Sequence, residues 1–302
     1  MKGFTFDDIP SQAGRTALVT GANAGIGYHI SEILAAHGAK VLMGCRDRGR
    51  AEKARADILK AVPDAQVEIV ELDLADLKSL RAAAEGIESL DLLINNAGIM
   101  WVPHGIGTGG AERHFAVNHL GHFALTSLLL PALAKGKDPR VVCQASLAHR
   151  PARIDFDNLD GTRDYGKQKF YGQSKLANLM FALELDRRLR AKGSPISAIA
   201  CHPGVAKTEL ARDATGSRIY MPLVGWLLNT ARQGALPALQ AATDPAAQGG
   251  DYYGPYGFME ATGATSGRAI ATKTARDPLL AARLWETSVE MTGIDPALPP
   301  AT

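Results

Sequence analysis

Short apolar runs alternate along the chain with segments whose apolar residues repeat at helical spacing. Thr16–Thr20 is an apolar run that ends at a glycine, which predicts a buried strand. The apolar residues that follow recur at i, i+4, i+7 and i+8 and share one helical face: Ile26, Ile30, Ile33 and Leu34. Gly38 ends this helix. The chain therefore begins with a strand that leads into an amphipathic helix.

The same alternation continues to about residue 201. Further strands are predicted at Lys40–Cys45, Val67–Leu72, Asp91–Asn95, Arg140–Ala145 and Ile196–Cys201. Further helices are predicted at Arg48–Ala61, Ala75–Gly86, Glu112–Ala134 and Tyr171–Arg190. Repeated strand–helix units with short connections predict an α/β fold. We expect a single-domain Rossmann-type, doubly wound parallel sheet of about seven strands with helices on both faces.

The regularity weakens beyond Pro203. We expect residues 1–302 to form one dinucleotide-binding and catalytic domain, with a substrate-side lobe around residues 205–232. The Gly- and Tyr-rich segment Ala246–Thr274 is expected to form a loop and a last edge strand. Tyr252, Tyr253 and Tyr256 are expected in this edge strand and its turn, with a wall on the substrate side as the alternative.

Composition and charge exclude several classes of protein. The 302 residues are 46% hydrophobic and 21% charged, which excludes a disordered or fibrous chain. The net charge of +2 gives no reason to expect nucleic acid or an anionic membrane as a partner. The cysteines, Cys45, Cys143 and Cys201, are too few and too far apart for a disulfide framework or a cysteine zinc site, so we expect a cytoplasmic protein. The N-terminus does not read as a signal peptide, and the longest apolar stretches, Phe123–Ala134 and Ile219–Leu228, are shorter than the ~20 residues of a membrane span.

The first strand runs into a glycine-rich turn, Thr20–Gly27, with the spacing G-x-x-x-G-x-G. Glycines let the backbone turn tightly and approach a diphosphate, and a helix N-terminus offers free N–H groups and the positive end of the dipole. The alternative is a plain strand–helix turn, which the position between a first strand and an amphipathic helix makes the weaker interpretation. We predict a dinucleotide site here.

The end of the second strand indicates which dinucleotide binds. NAD-binding proteins place an acidic residue there to hold the ribose 2′-hydroxyl. This strand ends Gly44-Cys45-Arg46, and a guanidinium suits a 2′-phosphate. The prediction is NADP(H), although Asp47 would reverse it if the register were shifted and Arg46 could instead be a solvated charge.

Tyr171 and Lys175 lie four residues apart on a predicted helix and share one face. An ammonium at ~4 Å could lower a tyrosine pKa of about 10 by ~2–3 units, which would make the phenol an acid/base group near neutrality. Ser146 ends the fifth predicted strand, at the edge where parallel sheets bind ligands. Asn118 stands among apolar neighbours inside a predicted helix, which calls for a structural or a water-holding role.

Together these motifs resemble the short-chain dehydrogenases/reductases, in the same order and at similar intervals. The shared motifs are Thr20–Gly27, Asn95-Asn96-Ala97-Gly98, Asn118, Ser146, Tyr171-x-x-x-Lys175 and Pro203-Gly204. Narrower matches resemble the retinol-dehydrogenase-like branch: Cys45-Arg46-Asp47, Val117–Phe123, Ser146–His149, Ser174–Asn178 and His202-Pro203-Gly204. The sequence departs from that branch at Ala145, where a second serine is common, although Ser146 is kept. We also expect no membrane-anchoring N-terminal helix of the kind found in many retinol dehydrogenases, which counts against a retinoid substrate.

The resemblance implies a role for each matching residue. Ser146 orients a carbonyl, Tyr171 is the acid/base, Lys175 holds the nicotinamide ribose and lowers the tyrosine pKa, and Asn118 keeps a proton-relay water. Asp73 contacts adenine, Asn95 and Ala97 line the adenosine ribose, and Thr208 meets the carboxamide and diphosphate. The remaining implied cofactor contacts are Gly21, Asn23, Ala24, Gly25, Ile26, Gly27, Leu74, Gly98, Pro203, Gly204 and Val205.

The resulting expectation is an NADPH-dependent carbonyl reductase, reversible as a secondary alcohol dehydrogenase, for an apolar ketone, aldehyde or alcohol. Ile219–Leu228 would be its lid, because hydride transfer must exclude water, although a membrane-touching patch or an oligomer contact is also open. The alternatives are a non-catalytic dinucleotide-sensing protein and a sugar-nucleotide epimerase or dehydratase. His119 and His122 are expected to pack rather than bind a metal. A homo-oligomer could form through Glu112–Ala134 and Tyr171–Arg190.

Overall fold

The computed structural model describes residues 3–205 and 229–300, and in these ranges the strands form one sheet. The strands are β1 Thr16–Thr20, β2 Lys40–Cys45, β3 Val67–Glu71, β4 Leu92–Asn95, β5 Arg140–Gln144, β6 Ser197–Cys201, β7 Tyr252–Pro255 and β8 Ser266–Arg268. Their order is β3-β2-β1-β4-β5-β6-β7-β8. All neighbours pair in parallel except β7 and β8, which are antiparallel.

Helices cover both faces of the sheet. They are α1 Gly25–Ala36, α2 Arg48–Ala61, α3 Leu77–Glu85, α4 Gly121–Leu133, α5 Lys167–Ala191, α6 Ala231–Thr243 and α7 Pro278–Thr292. The apolar residues of α1, α2 and α6 belong to one core, and those of α3, α4, α5 and α7 belong to the other. The strand order reverses between β1 and β4, which opens a crevice at the carboxyl ends of these strands. The predicted doubly wound α/β fold is confirmed.

The structure differs from the prediction mainly toward the C-terminus. The segment expected to hold one edge strand contains two, β7 and β8, so the buried Tyr252 and Tyr253 lie in an inner strand. The outer side of β8 is in turn bridged by Phe4. Helices α6 and α7 were not predicted. Thr208, the apolar Ile219–Leu228 and most of the expected 205–232 lobe lie outside the described residues.

The long helix predicted over Glu112–Ala134 begins later and is irregular. Phe115–Leu120 is a π-helix that runs directly into α4. Together Phe115–Leu133 is long and apolar enough to span a membrane by composition alone, but 83% of this stretch is buried inside the protein. It is therefore built as the core helix of this fold, which explains its apolar composition.

Helix α7 covers the apolar faces that we expected to be free for a second copy. Trp285 packs edge-on against Phe123 of α4, with ring centroids 5.3 Å apart, and lies tilted against Phe181 of α5 at 6.0 Å. The Arg188 guanidinium stacks on the Trp285 ring at 4.5 Å. A homo-oligomer stays a prediction, but with α7 in place these faces already have an intramolecular partner.

Candidate active site

Ser146 follows β5 at the carboxyl edge of the sheet. Its hydroxyl accepts the Ala148 N–H at 3.2 Å, which caps a short 3₁₀ turn, and its carbonyl oxygen accepts from His149 Nδ1 at 2.7 Å. The side-chain hydroxyl also interacts with the phenol of Tyr171. These two hydrogen bonds, one of them to the buried His149, fix the backbone at Ser146 and so fix the position of its hydroxyl at the crevice.

Tyr171 and Lys175 lie on α5, which begins at Lys167, one turn before the predicted start. Lys175 Nζ lies 5.9 Å from the Tyr171 ring centroid and donates to the Gln144 carbonyl at 3.1 Å. That carbonyl ends β5, only two residues before Ser146. The phenol, the hydroxyl and the ammonium predicted from sequence therefore converge at the carboxyl end of one strand.

Burial sets the protonation of this group. Desolvation raises the pKa of Tyr171, and the interaction with Ser146 only partly opposes it. Desolvation also lowers the pKa of Lys175 to about 8. That Lys175 lowers the tyrosine pKa stays a prediction; the influences on Tyr171 here are burial, which raises its pKa, and the interaction with Ser146, which lowers it. At neutral pH the phenol is protonated and can donate a proton.

Asn118 lies in the π-helix and pins the loop that follows β4. Its Oδ1 accepts the Ile99 N–H at 2.8 Å, and its Nδ2 donates to the Ile99 carbonyl and to Ser174 Oγ, both at 3.0 Å. These bonds occupy the side chain, so a proton-relay water would have to bind at the main chain. A π-turn rearranges backbone hydrogen bonds, and such turns are frequent at functional sites.

The glycine turn has the geometry that a diphosphate needs. Gly21 and Gly25 have left-handed φ of 68° and 56°, and a Cβ at Gly27 would lie 2.3 Å from the Gly21 carbonyl oxygen. Ala24 is the N-cap of α1 and offers no side-chain cap, unlike Asp47 before α2. The first-turn N–H groups of α1 are therefore left for an anion, and the open space around Gly25 leaves room for one. Asn23 and Ala24 are half-buried in this turn, whereas the Ile26 side chain is buried in the core.

At the end of β2 the Arg46 side chain is free to bind a ligand, whereas the Asp47 carboxylate is already bonded within the protein. Asp47 Oδ1 accepts the Arg50 N–H and Oδ2 accepts from Arg50 Nε, each at 2.9 Å, which makes Asp47 the N-cap of α2. The Arg46 side chain is exposed and has no hydrogen bond or ion pair within residues 3–205 and 229–300. The residues at this edge therefore offer a free guanidinium rather than a free carboxylate.

The other residues implied as cofactor contacts differ in how far they are buried. Asp73 is half-buried after β3 and its Oδ1 accepts the Ala75 N–H at 2.9 Å, while Leu74 is buried. The Asn95 side chain points into the core and donates to Thr126 Oγ1 at 2.8 Å, so only its main chain is left for a ribose. Ala97 and Gly98 continue from β4, and a Cβ on Gly98 would lie 3.5 Å from Lys175 Nζ.

The Pro203-Gly204-Val205 turn is held by residues that sequence reasoning missed. Gly204 has a φ of 68°, and its N–H donates to His202 Nδ1 at 3.2 Å. His202 Nε2 then donates to Glu260 at 3.2 Å, and Arg150 pairs with the same carboxylate at 2.9 Å. His202 stood in a recognised motif, but Glu260 lies in an irregular loop with a φ of 59° and carried no sequence signal.

His119 and His122 contact different partners and do not converge. His119 Nε2 bonds Ser288 of α7 at 2.8 Å and its ring packs among Phe115, Phe123 and Phe181. No group of three or more His, Cys, Asp or Glu residues that could hold a metal occurs in the part of the chain that the structure describes. The three cysteines are buried and free.

The strand order, the uncapped glycine turn and the Ser–Tyr–Lys set define a Rossmann-type oxidoreductase. Residues 15–218 match the short chain dehydrogenase family, and the chain belongs to that family. It is 40% identical over 287 residues to retinol dehydrogenase 12 of Mus musculus, a match that covers 93% of this chain and 87% of that protein.

Solved structures agree with this assignment. The chain is 39% identical to an uncharacterized protein from Mycobacterium Paratuberculosis, with a TM-score of 0.82 and coverage of 97% of this chain and 99% of that one. It is 27% identical, with a TM-score of 0.60, to a Beutenbergia cavernae protein described as an NAD(P)-dependent gluconate 5-dehydrogenase with bound NADP; that match covers 78% of this chain and 92% of the other.

Proposed function

We propose that this protein is an NADPH-dependent carbonyl reductase, reversible as a secondary alcohol dehydrogenase, that acts on an apolar ketone, aldehyde or alcohol. The observation that carries the proposal is the convergence of the Tyr171 phenol, the Ser146 hydroxyl and the Lys175 ammonium at the carboxyl end of β5. A purely dinucleotide-binding protein does not need these three groups together.

Each group has a distinct task in carbonyl reduction. Bound NADPH supplies the hydride, which no side chain can provide. Ser146 donates a hydrogen bond that holds the substrate carbonyl, and Tyr171, whose raised pKa keeps it protonated, donates its proton to that oxygen. Lys175 is largely an ammonium at neutral pH, since its pKa is about 8, and stabilises the phenolate left behind.

The preference for NADPH rests on the end of β2. Arg46 is free to meet a 2′-phosphate, and Asp47 is occupied as the cap of α2. A guanidinium binds phosphate through paired charge-assisted hydrogen bonds, which NADH cannot form. The bound NADP of the Beutenbergia cavernae relative is in line with this choice.

An apolar substrate is supported by the surface beside the Pro203-Gly204 turn. The Val205 N–H donates to the Ala261 carbonyl at 2.7 Å, which brings the 258–261 loop against this turn. Val205, Phe258 and Met259 are exposed there, with Phe258 80% accessible. Retinol dehydrogenase 12, a relative by sequence, is named for an apolar alcohol.

The buried free cysteines support a reducing, cytoplasmic location.

The catalytic proposal is tested by following NADPH oxidation with small aliphatic, aromatic and long-chain carbonyls, retinal included. Tyr171→Phe should lower kcat by on the order of 10²–10⁴-fold while NADPH binding is kept, because only the proton donor is removed. Tyr256→Phe, which removes an exposed hydroxyl, is the matched control and should be fully active. A fully active Tyr171→Phe protein would remove the mechanism. NADPH binding without turnover of any carbonyl would favour the sensing protein, and a tightly held cofactor without net redox change would favour the epimerase.

The cofactor preference is tested separately. Wild-type kcat/KM should be higher with NADPH than with NADH, and Arg46→Ala should lower the NADPH value by about 10–100-fold because a charge-assisted pair is lost. The NADH value should stay within about twofold, as should both values in Arg48→Ala, whose guanidinium faces Glu52 on α2. Equal or better use of NADH by the wild-type protein would show the assignment to be wrong.

A further inference from the structure

His122 lies between the Asn118 turn and the glycine turn. Its Nδ1 is 2.9 Å from the Asn118 carbonyl oxygen, and its Nε2 is 2.9 Å from Thr20 Oγ1. The ring is 2% exposed, so water does not compete for these bonds. One imidazole therefore joins the π-helix, which carries Asn118, to the last residue of β1.

Thr20 in turn organises the loop that follows β4. Its Oγ1 accepts the N–H groups of Asn96 at 3.0 Å and Ala97 at 2.9 Å, and its carbonyl accepts from Asn96 Nδ2 at 2.9 Å. The same Asn96 Nδ2 would lie 2.5 Å from a Cβ at Gly27, so this amide packs directly on the glycine turn. His122 thus holds the residue on which both sides of the nucleotide cradle are fixed.

Counting donors and acceptors determines the state of the ring. A carbonyl can only accept, so Nδ1 must carry a proton to bond Asn118. Both lone pairs of the Thr20 hydroxyl are used by backbone N–H groups, so its own proton must be donated, and His122 Nε2 at 2.9 Å is nearer than the Ile94 carbonyl at 3.3 Å. Nε2 is therefore an acceptor, and His122 is the neutral Nδ1–H tautomer. The electrostatic surroundings also favour the neutral ring, because burial and the nearby Lys175 charge lower the pKa of His122 to about 4.

We propose that His122 is a positioning residue that locks the Asn118 turn to the nucleotide cradle through Thr20, so that cofactor binding and the alignment of the Ser–Tyr–Lys set depend on one imidazole. The proposal rests on the proposed function in that the cradle is taken to bind NADPH. The family match does not assign this role, and it differs from that of His119, which bonds Ser288 of α7 instead of the nucleotide cradle.

The experiment compares His122→Leu with His119→Leu, a variant of an equally buried histidine one turn away. NADPH dissociation constants are measured by fluorescence under conditions where each variant is folded, and kcat is measured with the best carbonyl. His122→Leu should weaken NADPH binding about tenfold or more and lower kcat, because a buried network loses both of its bridging bonds. His119→Leu should leave both within about twofold. Equal effects of the two variants, or an unchanged dissociation constant in His122→Leu, would overturn the proposal.

A second measurement does not depend on cofactor binding or turnover. In protein labelled with ¹⁵N-histidine, the His122 ring should show the neutral Nδ1–H signature and should not titrate between pH 5.5 and 8, as expected for a ring whose pKa is about 4. An Nε2–H tautomer or an imidazolium in this range would contradict the network. If the protein bound no dinucleotide but His122 showed the expected tautomer, the proposed function would fail while the network stood.

Milder variants keep the test decisive if His122→Leu does not fold. His122→Asn keeps a donor for the Asn118 carbonyl but loses the acceptor for Thr20, so its NADPH affinity should fall between those of wild type and a full loss. Thr20→Ser retains the hydroxyl and should bind NADPH with near-normal affinity, whereas Thr20→Val lacks the hydroxyl and should bind NADPH more weakly. If Thr20→Val bound NADPH as tightly as wild type, the link through Thr20 would be refuted.

Discussion

Lys175 is a buried charge that the fold would be more stable without. Its side chain is 4% exposed, and desolvation lowers its pKa from 10.5 to about 8. The substitution Lys175→Met removes the charge and keeps a similar length and volume. The Gln144 carbonyl that accepts from Lys175 also accepts from Asn178 Nδ2 at 3.1 Å, so it does not become an unpaired buried group in the variant.

The size of the effect follows from the pKa shift. A fall from 10.5 to about 8, at about 1.4 kcal/mol for each pKa unit, makes the protonated Lys175 unfavourable to folding by about 3 kcal/mol at pH 7. The folded-state pKa lies below the unfolded one, so the cost is fully present below pH 8 and disappears as the pH rises toward 10.5. We expect Lys175→Met to be about 2–3 kcal/mol more stable than wild type at pH 7, with the gain falling below about 1 kcal/mol at pH 10.

The assay is urea unfolding of both proteins without cofactor at pH 7 and pH 10, together with carbonyl reduction at pH 7. Because other groups titrate equally in both proteins, only the difference between them is compared. Lys53→Met, on the exposed face of α2, is the control and should change neither value by more than about 0.5 kcal/mol. A Lys175→Met protein that is less stable than wild type at pH 7, or a difference independent of pH, would refute the reasoning. Loss of activity alongside gained stability would show that Lys175 is retained for function.

Two further perturbations test the cradle and the C-terminal helix. Gly27→Ala places a Cβ 2.3 Å from the Gly21 carbonyl oxygen, so the glycine turn must shift. NADPH affinity should fall at least tenfold in fluorescence titrations, and the free energy of unfolding should fall by about 1–3 kcal/mol. Gly49→Ala, whose Cβ meets only Asp47 at 3.6 Å, should leave affinity unchanged and be slightly stabilising. Trp285→Ala removes a 5% exposed indole that packs between α4 and α5, and urea unfolding should show a loss of about 3–5 kcal/mol. A loss below about 1 kcal/mol would mean that α7 is not part of the core.

The catalytic edge could be predicted because the fold class fixes where certain sequence positions meet. Once alternating strands and helices indicated a parallel sheet, residues just after each strand had to lie on one edge. Ser146 follows β5 and the glycine turn follows β1, so their proximity required no knowledge of individual contacts. Tyr171 and Lys175 share a helix face by spacing alone. Local periodicity and topology were sufficient for these placements.

The parts that could not be predicted depend on contacts between distant residues. Helix α7 is buried through contacts such as those of Trp285 with Phe123 and Phe181, which lie more than a hundred residues earlier. The pKa of Tyr171 depends on how deeply the ring is buried, and spacing from Lys175 says nothing about that depth. The π-turn at Asn118 changes which residues face the core. The run around it is apolar on all sides, so its hydrophobic pattern does not indicate where such a change occurs.

Asp47 shows why a position count cannot settle cofactor preference by itself. A carboxylate two residues past the strand end is close enough to hold a ribose hydroxyl or to cap the next helix, and these uses exclude each other. Here both oxygens are bonded to Arg50, and withdrawing the cap would cost about 1 kcal/mol of helix stability before any ribose contact formed. The neighbouring Arg46 needs no such rearrangement to meet a phosphate. The proposed preference for NADPH therefore rests on the capping role of Asp47 as much as on the presence of Arg46.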